Sequence, residues 1–397
     1  GDPSDPPHPR PSGRPAVARS PTPNPRDRQA VVSDTSAMPT PSGHALVTGG
    51  AGFIGAHLVR RLVSLGRRVT VIDDLSTGSQ DRLATLLDQS QAHHNGQPRL
   101  RLVVGDAAEL VGPTLETDPA DQLYHLAAAV GVERIVADPI GCINNNIHGA
   151  ASVFAAAADQ PAPPAVLLAS SSEVYGKAAK SPFSESDDLT FGPTTAARWS
   201  YGMSKAVDEY LLLSYVAQGR LRGVVTRFFN TVGPGQSGAY GMVLPRFVEA
   251  AVAREPIPVY GTGRQSRCFC DVRDLVPALP DLLECEAANG RVVNLGRDQP
   301  IAIEELAALV ASRAGVAFSI ERIPYDRAYG PGFEDLAQRK PDLSLARSLI
   351  DFDPRTPLTR TIDDLIAERG DRPAQARRAP ASDRQHDTNR TSTTAGS

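Results

Sequence analysis

Apolar residues in this chain fall in short solid runs, separated by longer stretches in which they recur every three or four positions. Solid runs suit strands buried on both faces, and the longer period suits helices laid against them. Ala45–Val47 is the first run, and the periodic stretch His57–Leu65 follows it. Arg68–Ile72, Leu100–Val104, Gln122–Leu126, Val166–Ala169 and Gly223–Arg227 repeat the pattern, with an alanine-rich helix expected from Asn144-Asn145-Asn146 onward. Such alternation predicts an α/β fold with a doubly wound parallel sheet. Beyond the sixth run the repeat lapses into a helix at Met242–Arg254, a strand at Ile257–Tyr260, a turn at Gly261-Thr262-Gly263, and Arg264–Asp274. The expected division is 43–235 for the main sheet and 236–368 for a smaller C-terminal α/β lobe.

Between the first strand and the first helix stands Thr48-Gly49-Gly50-Ala51-Gly52-Phe53-Ile54-Gly55. Strand, glycine turn and helix together make the context of a dinucleotide site, which makes the domain Rossmann-type. Gly49 permits the tight turn, Gly52 lets backbone approach a pyrophosphate, and Gly55 lets helix pack on strand. Phe53 and Ile54 open the helix whose N-terminus faces the phosphates. The second strand ends at Asp73, eighteen residues past Gly55, where a carboxylate accepts both hydroxyls of an adenosine ribose. It repels a 2′-phosphate, and no arginine occupies Asp74–Gly78 to neutralise one, so the expected cofactor is NAD rather than NADP. Asp106 places a carboxylate or its backbone near the adenine. Ala127, in Ala127-Ala128-Ala129, lets the chain pass close to the cofactor or serves tight packing. One amide of the Asn144–Asn146 run, assigned to Asn146, braces the backbone beside the nicotinamide.

The 397 residues have room for both lobes, and a formal net charge of −4 gives no reason to expect nucleic acid or an anionic membrane as partner. No apolar run is long enough to span a bilayer. Cys142, Cys268, Cys270 and Cys285 lack zinc or disulfide spacing, so they read as reduced core residues of a cytoplasmic protein, with both thiols of Cys268-Phe269-Cys270 on one strand face. Segments 1–42 and 369–397 are polar, rich in proline and arginine, and expected to be disordered. Met38 is a candidate start of translation.

Candidate chemistry concentrates in Ser170–Lys205. In Tyr201-Gly202-Met203-Ser204-Lys205 the tyrosine and lysine are four apart, so on a helix they share a face. A lysine there would lower the phenol from about 10 toward neutrality, making a base that takes a hydroxyl proton while a nicotinamide takes the hydride. Ser171, Ser172 and Glu173 sit at the C-terminal end of a strand, where open α/β sheets bind ligands. Arg264, Arg267 and Arg273 cluster in a basic stretch suited to a diphosphate or carboxylate, and Arg339-Lys340 adds a second basic spot.

Over about residues 44–368 the chain resembles the extended short-chain dehydrogenase/reductases that act on nucleotide sugars, and among them the UDP-glucuronate decarboxylases. The residues carrying this are Ser172-Glu173-Val174-Tyr175-Gly176, Gly192-Pro193 with Arg198-Trp199-Ser200-Tyr201, Phe229-Asn230, Arg267-Cys268-Phe269, and the run from Tyr329 through Asp335 to Arg339-Lys340-Pro341. The resemblance implies Tyr201 and Lys205 as catalytic and cofactor-contacting residues, with Ser171, Ser172 and Glu173 as further catalytic residues. It implies substrate contacts from Asn230, Arg267, Arg339 and Glu173, a UDP-glucuronate substrate, no metal, and a homodimer built from paired helices.

Within that group the 4,6-dehydratases carry Asp-Glu where this chain has Ser172-Glu173, because expelling a hydroxyl needs an acid as well as a base. A glutamate without the aspartate favours loss of C6 as carbon dioxide. Glu173 and Ser172 are expected to face the departing carboxylate and help reprotonate C5. The alternatives are a 4-epimerase, a 4,6-dehydratase, and, least in accord with an intact Tyr201, Lys205 and Ser171, a non-enzymatic NAD-binding protein. One departure is Gly235-Gln236 after Gly233-Pro234, where many relatives place a basic residue. Another is Asp81–Arg99, longer and more polar than a typical helix.

Overall fold

The computed structural model describes residues 43–89, 98–131, 135, 137–178, 180–238, 241–329 and 335–370. The expected terminal extensions lie outside the described residues except Arg369 and Gly370, which are not disordered but end the helix Leu358–Gly370, where Arg369 is buried and bonds the Gln236 carbonyl; part of Asp81–Arg99 and most of the run after Tyr329 also lie outside.

Six strands, β1 (His44–Thr48), β2 (Arg68–Asp73), β3 (Leu100–Val104), β4 (Gln122–His125), β5 (Ala165–Ser171) and β6 (Arg222–Phe228), form the main sheet with the late strand Val292–Leu295. The order across the sheet is Val292–Leu295, β6, β5, β4, β1, β2, β3, and every pairing is parallel. Alternate side chains feed two cores. Ala45 and Val47 pack with helix α1 (Phe53–Ser64) and the Val272–Glu284 helix. Leu46 points the other way, into the helices Ala107–Thr117, Pro139–Ala158 and Ser200–Ala217. Strand order reverses between β1 and β4, so their carboxyl ends open a crevice at the switch point.

The C-terminal lobe has its own core, centred on Leu244, Phe247, Ile257, Val259, Leu306, Val310 and Leu365. Ile257–Tyr260 pairs with Ile320–Ile323, while Ser266–Cys268 lies between Pro300–Ala302 and Gln338–Arg339. Between these pieces the chain crosses back, because the fully buried Val293 and Leu295 complete the main sheet beside β6. Cys268 and Cys270 do not share one strand face: the first ends Ser266–Cys268 and the second begins Cys270–Asp271, which pairs with Thr231–Val232. Both are free and buried, and burial pushes the Cys268 thiol up to about 12.

Asn294, on that seventh strand, fixes the segment after β5. Its Oδ1 accepts from the Tyr175 hydroxyl at 2.8 Å, its Nδ2 donates to the Phe183 carbonyl at 3.0 Å, and its backbone N–H donates to Glu185 at 2.8 Å. Tyr175 stacks on Phe183 with ring centroids 4.7 Å apart. Phe183 in turn exchanges backbone bonds with Lys340 and Asp342, which ties the lobe to the sheet. Asn294→Ala is expected to cost about 3 kcal/mol, because a buried hydroxyl and a buried carbonyl lose their partners together. Urea denaturation of the two proteins measures it, and a loss below about 1 kcal/mol would show the tie to be dispensable.

Candidate functional site

At the end of β1 the backbone at Gly49 is left-handed, with φ +71°, and a Cβ there would lie 2.7 Å from the Ala127 nitrogen. Gly52 opens α1, whose first turn has no side-chain cap, so its amides face outward. At Gly55 a Cβ would sit 2.1 Å from the Gly49 carbonyl oxygen, so only glycine allows helix and loop to meet. Asp73 ends β2 and accepts from the N–H groups of Ala51 and Leu75, each at 2.9 Å. Its carboxylate is thereby oriented beside the glycine loop. Phe53, Ile54, Asp106 and Ala127 line the same cleft, Asp106 also capping the Ala107–Thr117 helix through the Ala108 N–H. Asn146 lies behind the lining: Oδ1 accepts from the Ala129 N–H at 2.8 Å and Nδ2 donates to Ser204 at 3.0 Å. An uncapped helix start, a glycine-only approach and an oriented carboxylate suit a dinucleotide with free ribose hydroxyls.

Arg82 is a residue that spacing alone does not single out. It lines the cleft, donating to the Ala51 carbonyl at 3.1 Å and to the Gly235 carbonyl at 3.4 Å.

The cleft, about 700 Å³, runs on to Ser171, Ser172, Glu173, Tyr201, Asn230, Arg267 and Arg339. β5 ends at Ser171, whose Oγ accepts from the Glu173 N–H at 3.2 Å and starts a single 3₁₀ turn, Ser172–Tyr175. That turn delivers Glu173 between two guanidinium groups, Arg198 and Arg339, each 2.6 Å from one of its oxygens. Burial alone would raise the carboxyl, but the two arginines overcome it and hold Glu173 far below the usual carboxylate range. Glu173 is therefore held as a charged acceptor between Arg198 and Arg339. The trio carries two positive charges and one negative.

Tyr201 is buried in the first turn of the Ser200–Ala217 helix. Burial pushes its phenol above the ordinary value, the Glu173 charge adds to that, and a hydrogen bond with Ser171 opposes it. Lys205 shares the helix face, and its ammonium lies 3.0 Å from Asp208. The expected lowering of Tyr201 by Lys205 is thus corrected, since a long side chain reaches the acid one turn on as easily as the phenol one turn back.

The three clustered arginines also part company. Arg267 lines the cleft and pairs with Asp335 at 2.6 Å, Arg273 is held by Asp271 and Asp364, and Arg264 is exposed. Arg246 joins the cleft unannounced, donating to the Tyr260 hydroxyl at 2.8 Å with its guanidinium 4.1 Å from that ring. Asn230 faces the cleft and donates to the Cys268 carbonyl at 3.2 Å. Trp199 is a buried packing residue, with Arg198 5.3 Å and Lys177 5.6 Å from its ring.

Comparison with known proteins identifies the family. A family model described as the NAD dependent epimerase/dehydratase family matches residues 45–296. A UDP-N-acetyl-α-D-glucosaminuronate decarboxylase of Bacillus cytotoxicus is 34% identical over 322 residues, covering 81% of this chain and 96% of that protein. UDP-glucuronic acid decarboxylase 4 of Arabidopsis thaliana is 32% identical over 81% of this chain and 68% of its own length. Among solved structures, MoeE5 in complex with UDP-glucuronic acid and NAD superposes with a TM-score of 0.68 at 28% identity, over 82% of this chain and 99% of that one.

Replacing Glu173 with Gln is expected to lower stability by about 3 kcal/mol near neutral pH, since two largely buried guanidinium groups lose their counter-ion. The native carboxyl is depressed below its unfolded value of about 4.3, so its contribution is complete above that value and declines as pH falls toward the native one. Urea denaturation at about pH 7 and about pH 3 should therefore show the gap between parent and variant narrowing in acid. A gap of constant size would remove the ion pair as its cause.

Proposed function

Because the chain belongs to the NAD-dependent epimerase/dehydratase family, we propose that it is a decarboxylase of a UDP-linked hexuronate, with UDP-glucuronate as substrate and NAD as cofactor. The observation that carries this reading is the Arg198–Glu173–Arg339 trio beside Tyr201. Its two guanidinium groups suit one more carboxylate, such as C6 of a uronate.

Gly49, Gly52, Gly55 and Asp73 would hold the dinucleotide, which when bound supplies a hydride acceptor for the sugar C4. Tyr201, as phenolate, takes the C4 hydroxyl proton as hydride leaves that carbon, and C4 becomes a ketone. The sugar is then a β-keto acid. Its C5–C6 bond breaks with the electrons passing toward the C4 oxygen, and carbon dioxide leaves. Ser171, bonded to the phenol, is placed to donate to the enolate oxygen. Arg339 and Arg198 orient the carboxylate before it departs, Asn230 and Arg267 hold the sugar or diphosphate, and Ser172 faces the site of reprotonation. A UDP-hexuronate with an N-acetyl group at C2 is the second substrate reading, supported by the match to the Bacillus cytotoxicus protein.

We place the enzyme in the cytoplasm as a homodimer. Its cysteines are free, and no helix among the described residues is long and apolar enough to cross a membrane. Met203, Val207 and Tyr210 expose 39%, 39% and 69% of their surface along the outer side of the Ser200–Ala217 helix, an apolar stripe suited to a second copy.

Purified protein with NAD and either UDP-hexuronate should release carbon dioxide and yield a UDP-pentose or its 4-keto form by mass spectrometry. Isomerisation without loss of mass would make it an epimerase. Tyr201→Phe should slow turnover roughly 10²–10⁴-fold with the fold intact, and undiminished turnover would remove Tyr201 as the base.

A further inference from the structure

The chemistry above uses some of the buried charges and leaves others without a task. Asp208, three residues after Lys205, is wholly enclosed, its side chain 0% exposed and that of Lys205 2%. Its Oδ2 lies 3.0 Å from the lysine ammonium, and its Oδ1 has no hydrogen-bond partner. Desolvating such a pair is costly, and its Coulombic attraction repays the cost only with good geometry and further hydrogen bonds, which Oδ1 lacks. Stability is therefore a poor reason for Asp208 to be there.

Its neighbours narrow the choice. From β4, His125 is kept neutral, burial and the Lys205 charge pushing its imidazole down to about 3. The Pro139–Ala158 helix presents the Cys142 thiol beside Tyr201, and the turn after β5 presents Glu173, answered by Arg198 and Arg339. Glu209, next along the helix, bonds Ser170 and pairs with Arg227. Asp208 is the acid that meets Lys205 directly, and its charge disfavours the phenolate of Tyr201.

We propose that Asp208 is a positioning residue that holds the Lys205 ammonium and cancels its charge at Tyr201, setting the pH at which the base becomes active. The pair would hold the base in reserve: while the ammonium stays on Asp208 the tyrosine keeps its proton, and drawing the lysine off the acid exposes the phenol to a positive charge. This rests on Tyr201 being the base.

The test is the pH dependence of kcat with UDP-glucuronate and NAD for the parent, Asp208→Asn and Asp208→Glu. Asp208→Asn keeps the size and loses the charge, so the rising limb should move to lower pH by about one unit. Asp208→Glu keeps the charge, and its limb should stay with the parent's. A limb unmoved in Asp208→Asn, even with a lowered melting temperature, would show a merely structural acid and overturn the proposal. A limb moved to higher pH would overturn it too, by showing that Asp208 keeps Lys205 protonated. If thermal melting shows Asp208→Asn unfolded, Asp208→Ser is read the same way. Tyr201→Phe, run in parallel, separates the two claims: surviving turnover there defeats the base and with it the role of Asp208, whereas a dead Tyr201→Phe beside an unmoved Asp208→Asn limb defeats Asp208 alone.

Discussion

Glu173 accepting from Arg198 and Arg339 at once is the contact through which two lobes make one site. Arg198 precedes the helix of Tyr201 in the sheet domain, while Arg339 arrives on a short lobe strand paired with Ser266–Cys268. Charges this far from water must be matched in place, so the lobe has little freedom to slide along the sheet. The backbone bonds of Phe183 with Lys340 and Asp342, and the Asn294 bonds beneath them, hold the same register from the apolar side. The distance from the phenol to the arginines is thus settled by how the lobes close.

What the sequence made legible was local. Six strands, the glycine loop and Asp73 follow from patterns within a few residues, since periodicity and turn chemistry act over that range. Ser171, Ser172, Glu173 and Tyr201 were likewise findable, because strand ends in such sheets point at the ligand crevice. The rest depended on partners far away in the chain. Glu173 and Arg339 are separated by 166 positions, and no spacing rule shows that they meet. Helical spacing put Lys205 beside Tyr201, but which neighbour its flexible side chain chooses is a matter of packing, and here it meets Asp208. The return of Val292–Leu295 to the main sheet was hidden for the same reason, as its apolar run suits either lobe.

The missing basic residue after Gly233-Pro234 has a structural counterpart. Here Gly235 and Gln236 offer carbonyls rather than a charge, and the cations come from elsewhere: Arg82 to the Gly235 carbonyl, Arg369 to the Gln236 carbonyl at 2.7 Å. Glu368 accepts from the Gly235 N–H at 2.8 Å, and the His57 ring bonds the Pro234 carbonyl at 2.9 Å. A loop bordering the cleft is thereby tied to the cofactor helix on one side and to the last helix of the lobe on the other.

The trio also bears on what happens after chemistry. In the proposed reaction a uronate would enter with its carboxylate against the two arginines, and that carboxylate is the very group the reaction converts to a neutral gas. The pentose left behind has lost its strongest handle, a charge-assisted contact of about 1.5–3 kcal/mol, roughly a ten- to hundredfold weakening of its hold. In that reading turnover would carry its own release step, and a spent site would draw in fresh uronate in preference to the product it has just made.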